Sequence, residues 1–296
     1  ARLSHTRLML LLGNHDEAER TLALADAEAR TKPGQPASER AERQRLHALL
    51  QVARGQREQA LGALAAADAA WAELHGPDHP ERLRVAALTC DLGQGCDKLL
   101  GQAPAADVPP DAVALQALAL AQWARRGART ELADDQARRA LLAAEAAASP
   151  HLQWMALAEY AQQQAQAGRL AEASFFGKRA LGVVQALRDN LQASGAAADQ
   201  AFVRDKTALY RHVADWLLRQ QRVSEALQTL HLLKRHEQAD FNERAGPPTG
   251  AVPLTDAERQ WLDLIDQATD APRALAAEVQ RLLDLQRRKR ITPQEQ

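Results

Sequence analysis

Apolar positions along this chain gather into helical stretches that come in pairs, and the break inside each pair has a repeated form. Gly13-Asn14-His15-Asp16-Glu17-Ala18 returns as Gly55-Gln56-Arg57-Glu58-Gln59-Ala60, as Gly168-Arg169-Leu170-Ala171-Glu172-Ala173, and as Gln221-Arg222-Val223-Ser224-Glu225-Ala226. A helical stretch precedes each copy and another follows it. Two of the following helices carry an apolar pair, Ala180-Leu181 and Leu232-Leu233. Gly, or Gln221 in its place, stands where one helix ends and the chain reverses, a position that favours φ > 0. The Ala five residues on falls in the first turns of the second helix, where a small side chain lets the paired helices approach closely. Two weaker copies fill the gap, one around Leu92-Gly93-Gln94-Gly95 and one around Trp123-Ala124-Arg125-Arg126-Gly127, the latter with an insertion before Ala137.

The unit resembles the tetratricopeptide repeat, a helix–turn–helix. The resemblance implies an all-α fold, a right-handed α-solenoid of five to six hairpins over residues 1–245, with the first helix of each unit lining a concave wall. Gly13 to Gly55 is 42 residues and Gly127 to Gly168 is 41, longer than the family's usual period of roughly 34. The extra length lies in Pro-rich joints at 31–36, 75–80 and 107–111, which break one helix and cap the next. The second of these joints resembles the kinesin light chain variant. Gly168 to Gln221 is 53 residues. The second helix there is expected to run on through Leu181–Arg188 as a protruding element, with a break at Ser194-Gly195 and a new helix opening near Asp199. The repeat stops after Phe241. Residues 246–250 form a linker, and 246–296 are expected to be a helical connector with stretches near 255–269 and 272–290. Thr255 with Glu258 three residues on marks the start of the first.

Composition narrows the class further. Ala occurs 64 times and Leu 44, together 108 of the 136 hydrophobic residues, while Val and Ile reach only 13. Ala and Leu lead the helix propensities and β-branched residues fill strands, so sheet-based folds are excluded. A net charge of −1 creates no global field for nucleic acid or anionic lipid, and neither partner is expected. No apolar run approaches the roughly 20 residues of a membrane span. Cys90 and Cys96, the only cysteines, make no disulfide framework and suit a reducing cytoplasm as buried, inert thiols. The chain opens at Ala1-Arg2-Leu3 without an initiator Met and is expected to be a piece of a longer protein.

One stretch, about 170–260, carries a narrower likeness. It contains Phe175-Phe176-Gly177-Lys178-Arg179-Ala180, Leu187-Arg188, Phe202, Lys206, Tyr210-Arg211 and Ala214-Asp215-Trp216-Leu217. Arg222, Glu225-Ala226, Leu233-Lys234, Glu237, Asp240-Phe241, Arg244 and Leu254–Glu258 follow. This is similar to the last repeats and connector of bacterial CHAT-domain proteins, caspase-like proteases preceded by tetratricopeptide arrays. The resemblance implies a sensor or regulatory region whose partner is a protease domain further down the parent chain. That family's His–Cys dyad maps onto no residue here, because both cysteines lie upstream and lack its nucleophile context. The fragment itself is not expected to be an enzyme, and it is expected to need no cofactor.

Other constellations have plainer readings. His75-x-x-Asp78-His79 could be drawn as metal ligands, but its place in a joint points to Asp78 as a helix cap, and no metal is expected. His231 and His236 fall on a helix surface. No phosphate-binding glycine loop is present, and the basic run 287–290 is a solvated face. Trp71, Trp123, Trp154, Trp216 and Trp261 sit in separate helices and are expected to pin the core. Aligning on the turn Gly puts Arg7, Arg45, Gln162, Arg211, Asp215 and Arg219 on the concave wall. Arginines there suit an acidic peptide or a peptide C-terminus. The rival expectation is a free-standing scaffold or co-chaperone that binds peptide tails.

Overall fold

The computed structural model describes residues 2–31, 34, 36–76, 79–102, 108–191, 196–238 and 252–269. Every regular element among them is a helix, as the Ala and Leu excess requires. The helices pair in chain order. α1 (Arg2–Leu11) packs on α2 (His15–Thr31), α3 (Ala37–Ala53) on α4 (Arg57–Ala72), and α5 (Pro80–Asp91) on α6 (Cys96–Leu100). α7 (Pro110–Arg126) packs on α8 (Thr130–Ala146), α9 (Pro150–Gln166) on α10 (Leu170–Leu191), and α11 (Ala196–Arg219) on α12 (Val223–Gln238). Each second helix also meets the first helix of the next hairpin, so the six hairpins stack in a solenoid-like series. The chain divides into two compact units, Ala1–Val252 and Pro253–Gln296.

A single closure builds all six hairpin turns. The second residue after each first helix takes a left-handed conformation: Gly13 at φ 71°, Gly55 at 72°, Gly93 at 83°, Ala128 at 54°, Gly168 at 78° and Gln221 at 61°. Each donates its N–H to the carbonyl three residues back, and the next residue donates to the carbonyl five back. Gly13 bonds Leu10 at 3.0 Å and Asn14 bonds Met9 at 2.9 Å, and Gln221 and Arg222 bond Leu218 and Leu217, both at 2.9 Å. These paired bonds absorb the carbonyls that a helix end leaves without partners. They also hold Ala128 and Gln221 in a backbone region that costs an L-residue roughly 1–2 kcal/mol.

The fourth turn corrects the register expected from sequence. Gly127 keeps a negative φ, and Ala128 takes the left-handed place. The alanine five residues on is therefore Ala133, with no insertion before Ala137. Ala18, Ala60, Ala133, Ala173 and Ala226 are all fully buried, because at this level the second helix meets its neighbours with no room for a longer side chain. In the third hairpin a second left-handed glycine, Gly95, lengthens the turn by one, and Cys96 and Leu99 are the buried residues of the short α6.

Two of the joints expected from sequence open their helix with proline, Pro36 of the remaining one stands at the cap of α3, and Pro150 adds a joint not expected from sequence. Pro80, Pro110 and Pro150 open α5, α7 and α9, where the missing N–H costs nothing. The cap of α5 is His79, whose Nδ1 accepts from the Glu81 N–H at 3.3 Å. Asp78, the cap expected from sequence, lies outside the described residues. Ties at the turn edge join successive hairpins at a constant offset of 35 residues. Arg54 bonds Glu19, Arg57 bonds the Leu92 carbonyl, and Arg126 bonds the Asp91 carbonyl.

The largest apolar cluster lies among α9–α12. Gly177 is required there: a Cβ at that position would stand 2.6 Å from Val213 Cγ2 and 3.0 Å from the Trp216 ring. The continuation of α10 does not protrude. Val184 and Arg188 are buried, and Gln185 Nε2 donates to Tyr210 Oη of α11 at 2.5 Å. α11 begins at Ala196, earlier than expected, and residues 192–195 lie outside the described set. In the second unit, residues 256–269 form α13. Thr255 N–H donates to Glu258 Oε2 at 2.8 Å and Glu258 N–H to Thr255 Oγ1 at 3.3 Å, the reciprocal bonds of a capping box. Trp261, expected in the core, is 36% exposed. The linker 246–250 and the stretch 272–290 with its basic end lie outside the described residues.

Candidate functional site

The six residues expected to line a ligand wall fall into three separate places. Arg7 Nη2 and Nε bond Glu42 Oε1 at 2.5 and 3.1 Å, and Arg45 bonds the same carboxylate through Nε and Nη2, both at 2.8 Å. Burial by itself would raise the Glu42 pKa, but the bonds from Arg45 and Arg7 outweigh it and hold the group below its ordinary value. The Arg45 side chain is only 13% exposed. Arg7 therefore ties α1 to α3 across the first two hairpins, while Arg45 holds Glu42 from within α3. Gln162 is half-buried on α9. Arg211, Asp215 and Arg219 are spaced by four on α11 and are all exposed, so they form one stripe along the helix.

Further ion pairs link the hairpins between those places. Asp26 of α2 meets Arg43 and His47 of α3. Arg84 of α5 reaches Asp111 of α7 at 2.6 Å. Arg125 of α7 grips the buried Glu159 of α9 in a two-bond fork, at 2.6 and 3.2 Å. Each joins a basic side chain to a carboxylate on a neighbouring helix, and only the Arg125–Glu159 contact is a two-bond fork.

The third hairpin is chemically the least ordinary part of the molecule. Its second helix has five residues, where the other second helices have 16 to 22. A cleft of about 290 Å³ opens between α4 and α6 over α5. Leu61, Leu64, Val85 and Leu99 give it an apolar lining, and Lys98 and the Arg82–Asp68 pair supply its charge. Cys90 and Cys96 are joined in a disulfide, which overturns the expectation of two free thiols. A loop of this length between two cysteines can close when both sulfurs are brought into the same small core, here with Leu83, Ala87, Leu99 and Leu120.

Both ends of α5 carry perturbed titratable groups. At its start, the His75 and His79 rings stack face to face at 3.6 Å against Trp71. Burial, and then the neighbouring His75, hold the His79 pKa below its ordinary value. At its end, Asp91 Oδ1 is sealed from solvent without a hydrogen-bond partner. Burial pushes its carboxyl up to about 7, against the pull of Arg126 and with a small push from Glu159. Among the described residues no three His, Cys, Asp or Glu side chains are grouped to hold a metal. No described helix is long and apolar enough to cross a membrane.

Residues carrying the narrower resemblance are mostly interior. Phe175, Ala180, Phe202, Tyr210, Trp216, Leu217 and Ala226 are buried. Lys178 is buried and paired with Glu225, which also takes two bonds from Arg222. Lys206 lies 4.1 Å from the Phe202 ring centre and 5.4 Å from that of Trp154. Asp240, Phe241 and Arg244 lie outside the described residues. No protein-family model matches the chain, and no curated protein matches it.

Sequence reasoning missed Asp91, the His75–His79 stack and the cleft. One signal was available for the cleft: only 16 residues separate Gly93 from Pro109, too few for a full second helix and a joint. Nothing local marks Asp91, whose environment is made by residues from α7 and α9.

Proposed function

We propose that this chain is a protein-recognition scaffold of tetratricopeptide type, a right-handed solenoid whose first helices present side chains to a protein or peptide ligand. One observation supports this above the others: the same turn closure recurs in all six hairpins, and the same buried alanine in five of them. Stacks built that way offer an extended surface suited to a chain-like partner. The ligand contact narrows to Arg211, Asp215 and Arg219, since Arg7 and Arg45 already bond Glu42. Two arginines flanking an aspartate suit a peptide with two acidic side chains and a basic or amide group between them, through charge-assisted hydrogen bonds. Fluorescence anisotropy with a panel of acidic peptides tests the assignment. A peptide that binds the native protein and weakens about tenfold in R211E/R219E, a loss of roughly 1.4 kcal/mol, supports it if the Tm is unchanged. Equal binding to both proteins overturns it.

The likeness over 170–260 extends the proposal: the scaffold is the sensing region of a bacterial CHAT caspase-like protease, and ligand binding gates a protease domain in the parent chain. A cytoplasmic setting goes with that parentage. Sequencing the parent gene past Gln296 is the test, with a His and a Cys in an α/β pattern as the expected finding and a stop codon as the refutation. A free-standing scaffold for peptide tails is the second reading. It is favoured by the burial of most residues behind the narrower likeness, because any stack packed this way would need them.

A further inference from the structure

We propose that Cys90–Cys96 is a redox-modified site, a latch whose reduction by a dithiol releases α6 and opens the cleft beside it. The inference stands on the third hairpin alone and does not depend on which partner the stack binds. Its basis is how little else holds α6. A helix of five residues lies far below the length at which helices persist by themselves, since nucleation is costly and few bonds repay it. Two buried tethers fix this one, beside an exposed 4.0 Å ion pair from Asp97 to Arg129 that is screened by solvent. The disulfide joins its first residue to the last turn of α5. At the other end the buried Gln116 of α7 donates its side-chain Nε2 to the Leu99 and Gln102 carbonyls, at 3.1 and 2.8 Å. The turn between the two sulfurs is exposed and holds two left-handed glycines, Gly93 and Gly95, so its backbone adapts when the cross-link is lost.

The exchange balances without further reactants. A dithiol thiolate attacks Sγ of Cys96, the less deeply buried of the two cysteines. The Cys90–Cys96 bond breaks, a mixed disulfide forms on Cys96, and Cys90 leaves as a thiolate that takes up a proton. The second thiol of the dithiol then attacks the mixed disulfide, so Cys96 leaves as a thiol and the reductant departs as its own disulfide. Two electrons and two protons pass to the protein, and a disulfide oxidant reverses the reaction. The pocket already supplies acceptors for the thiols that appear. Cys90 Sγ is 3.7 Å from the Ala119 carbonyl oxygen, and Cys96 Sγ is 3.2 Å from that of Cys90.

Once reduced, α6 keeps the Gln116 bonds, the burial of Cys96 and Leu99, and an exposed 4.0 Å ion pair from Asp97 to Arg129. Gln94, Gly95, Lys98 and Leu99, which form one wall of the cleft, then move as a local unit. The experiment is thiol titration with hydrogen exchange on the whole chain. Air-oxidised protein unfolded in guanidinium should show no free thiol, and two after dithiothreitol. In the folded protein, dithiothreitol without denaturant should speed amide exchange across 93–102 by about tenfold or more, leaving 170–186 unchanged. C90S/C96S should exchange at the faster rate with or without dithiothreitol, and C90A/C96A replaces it if the serine variant does not fold. Free thiols in the oxidised protein, exchange that ignores dithiothreitol, or a bond that dithiothreitol reduces only after global unfolding would each overturn the latch.

Discussion

The third hairpin and the last two hairpins solve the same packing problem in opposite ways. α9–α12 bury Phe175, Tyr210, Trp216 and a set of charged and amide groups, with Lys178, Gln185 and Glu225 bonded across helices. α5 and α6 have a small core of Leu, Ala and Cys, a five-residue second helix, a covalent tie, and a pH-sensitive group at each end of α5. The same turn closes both. The difference teaches that turn geometry makes a hairpin, while the length and contents of the second helix decide whether its order is unconditional or depends on solution conditions.

The comparison breaks most decisively at Glu225. E225A leaves the buried Lys178 without that carboxylate; breaking a fully buried pair costs about 3–5 kcal/mol, which is the upper bound here because Glu225 is 21% exposed. Chemical denaturation should show that loss; a loss below about 1 kcal/mol would mean the last hairpins do not depend on their buried pair. The carboxylate holds a pKa below its ordinary value because the Arg222 and Lys178 bonds outweigh burial. Its contribution is therefore present above the ordinary carboxylate range and is lost as the pH falls through the folded value.

Asp91 should behave in the reverse sense. Its carboxyl moves from 3.8 up to about 7 on folding, so the folded state holds a proton that the unfolded chain has lost. Stability falls as the pH rises between those values. D91N removes that slope, and it should stabilise the protein at pH 8 by an amount with a ceiling of about 4 kcal/mol, the gain vanishing toward pH 4. Thermal melts across the range check the sign. G177A comes next, at about 1–3 kcal/mol of overpacking against Val213 and Trp216, read from the denaturation midpoint.

The smallest effect belongs to His79. Its folded pKa lies below 6.5, so its contribution is present above that value and lost as the pH falls through the folded one. Trp71, His75, Glu81 and Arg84 are the groups around it. H79A removes the cap and should cost about 1 kcal/mol at pH 8. H79N keeps an acceptor that does not titrate and should flatten the acid limb of the melt profile. A profile identical to the native one would assign the acid sensitivity elsewhere.

Much of the fold could be read directly because its determinants are local. Gly13, Gly55, Gly168 and Gln221 mark turns whose bonds join residues three to five apart, and Ala18, Ala60, Ala173 and Ala226 follow at a fixed offset. Ala128 escaped because its left-handed backbone is imposed by the two turn bonds and not by its own preference, with Gly127 beside it as a decoy. The candidate site was less legible. Whether Arg45 faces a ligand or a carboxylate depends on Glu42, three residues away, and on Arg7 from another hairpin. Asp91 acquires its character from Arg126 and Glu159, 35 and 68 residues later in the chain, a dependence that no local pattern carries.

The ties at 35-residue offsets have a mechanical consequence. Because Arg54, Arg57 and Arg126 fasten the turn edges of the first four hairpins to one another, tension applied across that part of the stack is borne by these side chains one junction at a time. Extension under force should then proceed in discrete steps of one hairpin. The Cys90–Cys96 cross-link would withhold the contour of the five residues it encloses from the step that contains it, so that one step should lengthen when the bond is reduced. A spring of this design has a single coil whose travel depends on its chemical surroundings.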